Sequence, residues 1–476
     1  MSNIQKQMTE AKAARKNGQP NLRQFDGLCT IPKALGVTTE AEYLEYLVWE
    51  GAKKRYGEDL TDEQRERITM ELQSINNGGF AGYFLFIRDI VRAARNELGA
   101  LVGPGRSNSG GSIVAYCLYI TNIDPLKHGL LFERFFYYNR ADNPRIDPDF
   151  DVEGRERVIE WLKEKYGETR VANVATYDIK EGKRTMRCII PSLFVVASQD
   201  ICNLVPVREV DDKKSGKRVL VTELTAEELR EAGIKHIDLL GLKALSAIKE
   251  CLSRINASTG EKLDLNRIPL YDEATLKLFS EGDTIGVFLF ESEGMQEYLR
   301  KLQTPSFNDL AAMNALYQPI GMNKINHFID RKQGREAIVY HLPEMESVLG
   351  DTYGITIYQE QLMQLSQLLA GFTPWESAII YRSFVRRKKE VIDWLAVQFL
   401  MGGQKKGYPR EILEKIWDEW KTDATKLYNK SHAVCYTLLS YQTAYLKAHY
   451  REEYMSTLIS QAAGDDSRIQ ELTNAK

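Results

Sequence analysis

The stretch Pro144-Arg145-Ile146-Asp147-Pro148-Asp149-Phe150-Asp151-Val152-Glu153-Gly154 concentrates residue types that do chemistry. After Pro148 the acids at 149, 151 and 153 alternate with Phe150 and Val152. That is the period of a strand, with the acids on one face and the apolar pair toward a core. A row of bare carboxylates repels itself and resists desolvation unless a cation sits between its members. Mg²⁺ takes one or two carboxylates, keeps waters and bridges to phosphates, so Asp-x-Asp on a strand suits half of a phosphoryl-transfer site. A solvated acidic strand edge is the plain alternative. A calcium loop is excluded by context, because Pro144 and Pro148 stand where an EF-hand needs its entering helix.

Three further stretches bring polar chemistry. Gly103-Pro104-Gly105-Arg106-Ser107-Asn108-Ser109-Gly110-Gly111-Ser112 precedes an apolar helix start at Ile113, so it is either a turn or a phosphate cradle backed by a helix N-terminus. It is neither a Walker A loop nor a dinucleotide fingerprint. Arg382 to Lys389 places five positive charges in eight residues, a solvated helix end or a strip that neutralises phosphates. Asn429-Lys430-Ser431-His432 offers donors before an apolar, aromatic run, with His432 a ligand contact or a cap.

The elements that must position these groups are legible in outline. Thr39 and Thr61-Asp62-Glu63-Gln64 cap two helices, and Tyr83, Phe84, Phe86, Ile87, Ile90, Val91 and Ala94 recur at helical spacing in a buried one. Arg155 to Tyr166 reads as an amphipathic helix and Val171 to Thr176 as a strand. Residues 209 to 218 read as an exposed hairpin or loop. His236-Ile237-Asp238-Leu239-Leu240-Gly241-Leu242 reads as a short buried strand that delivers one acid. Beyond Lys262 the pattern is mostly helical, which makes the fold class α+β.

Composition sets the bounds. The 476 residues are 43% hydrophobic and 27% charged, with no apolar run near the ~18 residues that span a bilayer and no secretory signal at the start. A cytoplasmic protein of two to four domains or subdomains, not membrane-bound, is expected. Six scattered cysteines read as reduced thiols, and the net charge of −3 leaves any nucleic-acid binding to local patches.

In order along the chain, the Gly103 to Ser112 loop, Ile123-Asp124-Pro125-Leu126, Leu131-Phe132-Glu133-Arg134-Phe135, Pro148-Asp149-Phe150-Asp151, Asp238-Leu239-Leu240-Gly241-Leu242, Glu291 to Met295, Phe328 to Lys332, Tyr353-Gly354-Ile355, Tyr358 to Gln361 and Asn429 to His432 resemble bacterial DNA polymerase III α subunits, the family C polymerases. The resemblance runs from about residue 40 to 460. It implies a polymerase-β-like nucleotidyltransferase palm with a large, mostly helical fingers domain. The expected division is a polar, partly disordered extension over 1–40, palm over 41–180, a shortened thumb junction over 181–205, a palm return over 206–245 and fingers over 246–476.

The resemblance also implies template-directed DNA synthesis. Asp149, Asp151 and Asp238 would converge on two Mg²⁺ ions about 3.5–4 Å apart, for which Mn²⁺ substitutes. Gly105, Arg106, Gly111, Ser112, His236, Lys388, Lys430 and His432 would bind the dNTP. Arg331, Lys332, Arg382, Arg386 and Arg387 would bind primer-template DNA. The family's Gly-Arg-Gly-Ser reads Gly105-Arg106-Ser107-Asn108 here, the Lys two before its last acid reads His236, and an Arg of its fingers reads Gln318. The alternative function is therefore a non-catalytic DNA- or nucleotide-binding protein derived from such a core. The family's histidinol-phosphatase-like and clamp-binding regions are expected to lie outside this chain, supplied by another chain or by other replication proteins.

Overall fold

Thr39 and Thr61 accept from the backbone N–H three residues on, while Glu42 and Gln64 reach back to the threonine N–H groups. These capping boxes start α1 (Glu40–Tyr56) and α2 (Asp62–Asn77) where the sequence places them. A computed structural model describes residues 24–136, 144–180, 183–212, 216–319 and 321–475. The chain divides into two compact units, with the boundary between Ser246 and Ala247.

In the first unit α3 (Ala81–Asn96) is buried along almost its whole length, as its run of apolar side chains requires. The expected polar extension falls outside the described residues as far as 23. Beyond that point Gln24, Phe25 and Leu28 are buried, while the residues from 29 to 40 are exposed or half-buried. The Gln24 amide donates to the carbonyls of Val196 and Lys235 at 2.8 Å each and accepts from Lys235 N–H, and Phe25 stacks on Phe86. A short polar segment gave no apolar period to read, so its anchoring depends on strands far along the chain.

Two sheets follow. β1 (Asp149–Phe150) pairs in parallel with β7 (Leu240–Gly241). A mixed five-stranded sheet runs in the order β4-β5-β2-β3-β6, from β2 (Val171–Lys180), β3 (Lys183–Val196), β4 (Val207–Asp211), β5 (Arg218–Thr222) and β6 (Ile237–Asp238). One side of this sheet closes over a core that includes Val174, Val195, Ile201, Leu224, Leu229 and Ile234. The span 181–205 carries β3, which is antiparallel to β2 from Val171↔Val196 to Lys180↔Lys183. β4 and β5 form the hairpin expected around 209–218, and residues 213–215 of its turn lie outside the described residues.

Two expectations need correction. The strand after Pro148 is only two residues long, because α5 (Val152–Tyr166) begins immediately after Asp151 and removes Glu153 from any acidic row. Glu153 lies in the first helical turn with its side chain 86% exposed. The segment 236–242 is not one strand but two short ones, β6 in the five-stranded sheet and β7 beside β1. It links the sheets.

The second unit is helical among its described residues. α6 (Lys243–Thr259) crosses the boundary. Relevant here are α7 (Phe307–Leu316), α8 (Ile325–Lys332), α9 (Gln359–Ala370), α10 (Pro374–Val385), α11 (Lys389–Lys405) and α12 (Lys430–His449). No helix among the described residues is long and apolar enough to cross a membrane, and none of the six cysteines is in a disulfide.

Candidate active site

Asp149 owes its position to backbone pairing on both sides. Gly103 N–H donates to the Asp149 carbonyl at 2.9 Å, Asp151 N–H donates to the Leu101 carbonyl at 3.0 Å, and β7 pairs along the other edge. A Cβ on Gly103 would stand 3.3 Å from the Asp149 Cβ, so the glycine lets the start of the Gly-rich loop lie against the acid. Carrying the β1/β7 register back two residues brings Asp147 beside Asp238, whose N–H donates to Asp147 Oδ1 at 3.1 Å.

Arg106 ties this pair of strands together. Its Nε lies 3.0 Å from Asp149 Oδ1, its Nη1 3.4 Å from Asp238 Oδ2, and its Nη2 donates to the Asp238 carbonyl at 3.3 Å. Arg145 reaches the same Asp238 oxygen, at 3.5 Å from Oδ2, and lies 2.6 Å from Asp147 Oδ2. Asp147 and Asp149 are buried, and burial pushes the Asp147 carboxyl upward against the opposing pull of Arg145 and Arg106. Asp147 and Arg145 had no role in the sequence reading, although Asp147 shares the strand parity of Asp149.

The expected convergence of three acids is not what the fold builds. Asp151 is the N-cap of α5: its Oδ1 accepts from Gly154 N–H at 2.9 Å and its Oδ2 from Leu101 N–H at 2.7 Å. A Cβ on Gly154 would come 2.3 Å from Asp151 Oδ2, so that glycine makes room for the cap. Among the described residues no group of three or more His, Cys, Asp or Glu side chains is arranged to hold a metal. The pair Asp149 and Asp238 nevertheless fits one hard divalent ion. Asp238 Oδ1 is buried without a hydrogen-bond partner, and Mg²⁺ needs only one or two carboxylates with waters and phosphate completing its shell.

The Gly-rich loop holds its predicted residues in two ways. Gly105 (φ 128°) and Ser107 (φ 57°) flank Arg106 in left-handed conformations, and Ser109 Oγ and N–H both bond the Arg106 carbonyl. Gly111 and Ser112, expected at a phosphate, instead face inward. Ser112 caps α4 (Ile113–Cys117), and the buried carboxylate of Glu71 accepts from Ser112 Oγ and from the N–H groups of Ile113 and Val114. An anion from the chain itself already fills that helix terminus, and Arg67 balances it at 2.7 Å.

His236 lines a cavity of about 280 Å³ with Tyr83, Arg145, Arg230 and Lys235. Burial, then Arg145, push its pKa down to about 4, so it is neutral near pH 7. Lys235 is buried, donates to the Pro144 carbonyl at 2.9 Å and lies over the Phe80 and Tyr83 rings.

In the second unit, Arg331 and Lys332 are bound into its interior rather than presented to DNA. Arg331 bonds Glu336 and the Tyr353 carbonyl, and Lys332 bonds Asp309 at 2.8 Å. Arg386, Arg387 and Lys388 are exposed between α10 and α11, whereas Arg382 is half-buried within α10. The cap of α12 is Asn429, whose Oδ1 accepts from His432 N–H at 3.1 Å, so His432 is not the cap. Its ring lies 4.3 Å from that of Tyr436, tilted by 43°. The Lys430 N–H donates to buried Glu360, and burial lowers the pKa of the Lys430 side chain.

Comparison with known proteins agrees with this organisation. Residues 42–193 match the bacterial DNA polymerase III alpha NTPase domain and residues 244–407 the bacterial DNA polymerase III alpha subunit finger domain. The DNA polymerase III subunit alpha of Aquifex aeolicus is 33% identical over 527 residues, covering 92% of this chain and 45% of that protein. That of Halalkalibacterium halodurans is 34% identical, covering 90% and 44%, and that of Bacillus subtilis 32%, covering 91% and 44%. The chain thus spans less than half the length of these relatives. With both domain models matched in order and identity sustained over nine-tenths of its residues, the chain belongs to the bacterial DNA polymerase III alpha subunit family.

Proposed function

We propose that this chain is a template-directed DNA polymerase core that joins a dNTP to a primer 3′-hydroxyl. The observation that carries the reading is the juxtaposition of Asp149 on β1 and Asp238 on β6, both reached by Arg106 of the Gly-rich loop. The paired acids beside a mixed sheet support a polymerase-β-like palm. Asp149 and Asp238 would hold a divalent ion, Mg²⁺ or Mn²⁺, which lowers the pKa of the attacking hydroxyl and neutralises charge on the phosphates. Asp151, whose oxygens accept from the N–H groups of Leu101 and Gly154, would reach a second ion only through its remaining lone pairs.

The chain's own residues divide the remaining work. Arg106, once free of the acids, pairs with the triphosphate, to which a guanidinium fork is suited. Asp147 holds the Asp238 backbone and Arg145 its carboxylate. Arg386, Arg387 and Lys388 would contact DNA phosphates. Replication proteins or another chain would supply regions that the longer relatives possess.

Primer extension with Mg²⁺ and with Mn²⁺, comparing the wild type with Asp149→Asn, tests the reading. Slow extension that is stronger in Mn²⁺ and lost in Asp149→Asn is expected. A second reading, a DNA- or nucleotide-binding protein without synthesis, is favoured by the engagement of Asp151 as a helix cap. Equal inactivity of wild type and variant with DNA binding intact would establish it.

A further inference from the structure

We propose that Arg106 is a latch that holds the Asp149/Asp238 pair closed to divalent metal until a polyphosphate draws the guanidinium away. The proposal rests on the polymerase reading above and adds to it a coupling between metal and nucleotide.

The geometry is that of an occupied gap. The Arg106 side chain is 13% exposed and its nitrogens approach both acids, within 3.0 Å of Asp149 and 3.4 Å of Asp238. A divalent ion shared by these carboxylates would sit about 2.0–2.1 Å from their oxygens, in the space the guanidinium fills. Metal and latch therefore exclude each other. The grip is uneven, short on Asp149 and long on Asp238, whose Oδ1 has no partner at all. This is a contact that a better anion can break.

The loop allows the release. The Arg106 carbonyl is fixed by Ser109, while Gly105 and Ser107 on either side hold the loop in a sharp, left-handed path. The backbone stays anchored and only the side chain must turn. A triphosphate offers the planar, bidentate partner that guanidinium prefers. Once it takes Arg106, buried Asp149 and part-buried Asp238 lose the charge of that guanidinium, and a divalent ion restores it. Linkage makes the effect mutual: polyphosphate raises metal affinity and metal raises polyphosphate affinity.

Two binding measurements test this without turnover. In the first, Mn²⁺ alone is titrated by electron paramagnetic resonance into wild type, Arg106→Gln, Arg145→Gln and Asp149→Asn. The latch requires Arg106→Gln to bind Mn²⁺ about tenfold tighter or more, within the usual span of coupling between sites. Arg145→Gln removes the same charge from Asp238 Oδ2, but Arg145 reaches Asp147 rather than Asp149, so this variant should gain less than about a third of that. Equal gains in the two variants, or no gain in Arg106→Gln, would overturn the latch and leave only net charge at work.

The second measurement does not depend on Arg106→Gln folding well. In EDTA, Asp149→Asn releases Arg106, so inorganic tripolyphosphate should bind it several-fold tighter than wild type; unchanged or weaker binding would overturn the latch. Failure of the latch alone leaves Mn²⁺ binding that Asp149→Asn abolishes. If no form of the chain binds Mn²⁺ at a site sensitive to Asp149, with or without dNTP, the polymerase reading falls as well.

Discussion

His236 and Ser107 stand where the family's pattern has other residues, and each has a measurable consequence. The folded pKa of His236 lies near 4, below its ordinary 6.5, so the folded chain binds its proton less readily than the unfolded one. The stability it contributes is present above pH 6.5 and is lost as pH falls through 4, a total of roughly 3 kcal/mol. Denaturant unfolding from pH 7.5 to 4 should show this loss, reduced in His236→Gln; a variant with the same pH slope would refute the assignment. His236→Lys restores the family's residue but places a cation beside Arg145 and Lys235, and it should lower the melting temperature. Ser107 holds φ at 57° where the family has glycine. Ser107→Gly relieves about 1 kcal/mol of left-handed strain, partly offset by a more flexible unfolded chain. A net gain of about 0.5 kcal/mol in urea unfolding is expected.

At the scale of elements, Asp151 and Asp149 lie two residues apart yet serve different ends. Asp151 starts α5 and satisfies the N–H of Leu101, so Asp151→Ala loses a cap, worth about 1 kcal/mol, and strands a donor, costing about 1–3 more. Asp149→Asn keeps the β1 pairing, which runs through the backbone. Chemical denaturation should therefore report a loss of about 2–4 kcal/mol for the first variant and under about 1 for the second, while Mn²⁺ binding is lost in the second. Comparable destabilisation of both would mean that Asp151 is not acting as a cap. The same logic explains Ser112: α4 begins against Glu71, and its terminus supports the loop from within rather than receiving a ligand.

For the whole molecule, a net charge of −3 means that the proposed DNA contacts would come from a local group of cations. Arg331 and Lys332 are committed to Glu336 and Asp309, which leaves Arg386, Arg387 and Lys388 as the exposed group expected to meet phosphates. Replacing all three by Gln should weaken binding to primer-template DNA and flatten its log–log salt dependence by about 3. An unchanged salt slope would move the DNA contacts elsewhere on the chain.

The sequence by itself determined what is written in short-range pattern: the capping boxes at Thr39 and Thr61 and the buried helix around Phe84, together with the family. Each follows from local periodicity, cap chemistry or motif order, and needs no partner distant in the chain. Only the tertiary structure decided which polar groups meet. Strand alternation made Asp151 and Glu153 companions of Asp149, but a helix beginning at Val152 took one as its cap and turned the other to solvent. Arg106 between two acids, Glu71 beneath Ser112, Gln24 stitched to Val196 and Lys235, and Arg145 beside His236 are all contacts across tens to hundreds of residues. A charged or amide side chain has the same local pattern whether it faces water or a buried partner. Its role is fixed by desolvation and by the partner that repays it, and both are properties of the folded chain.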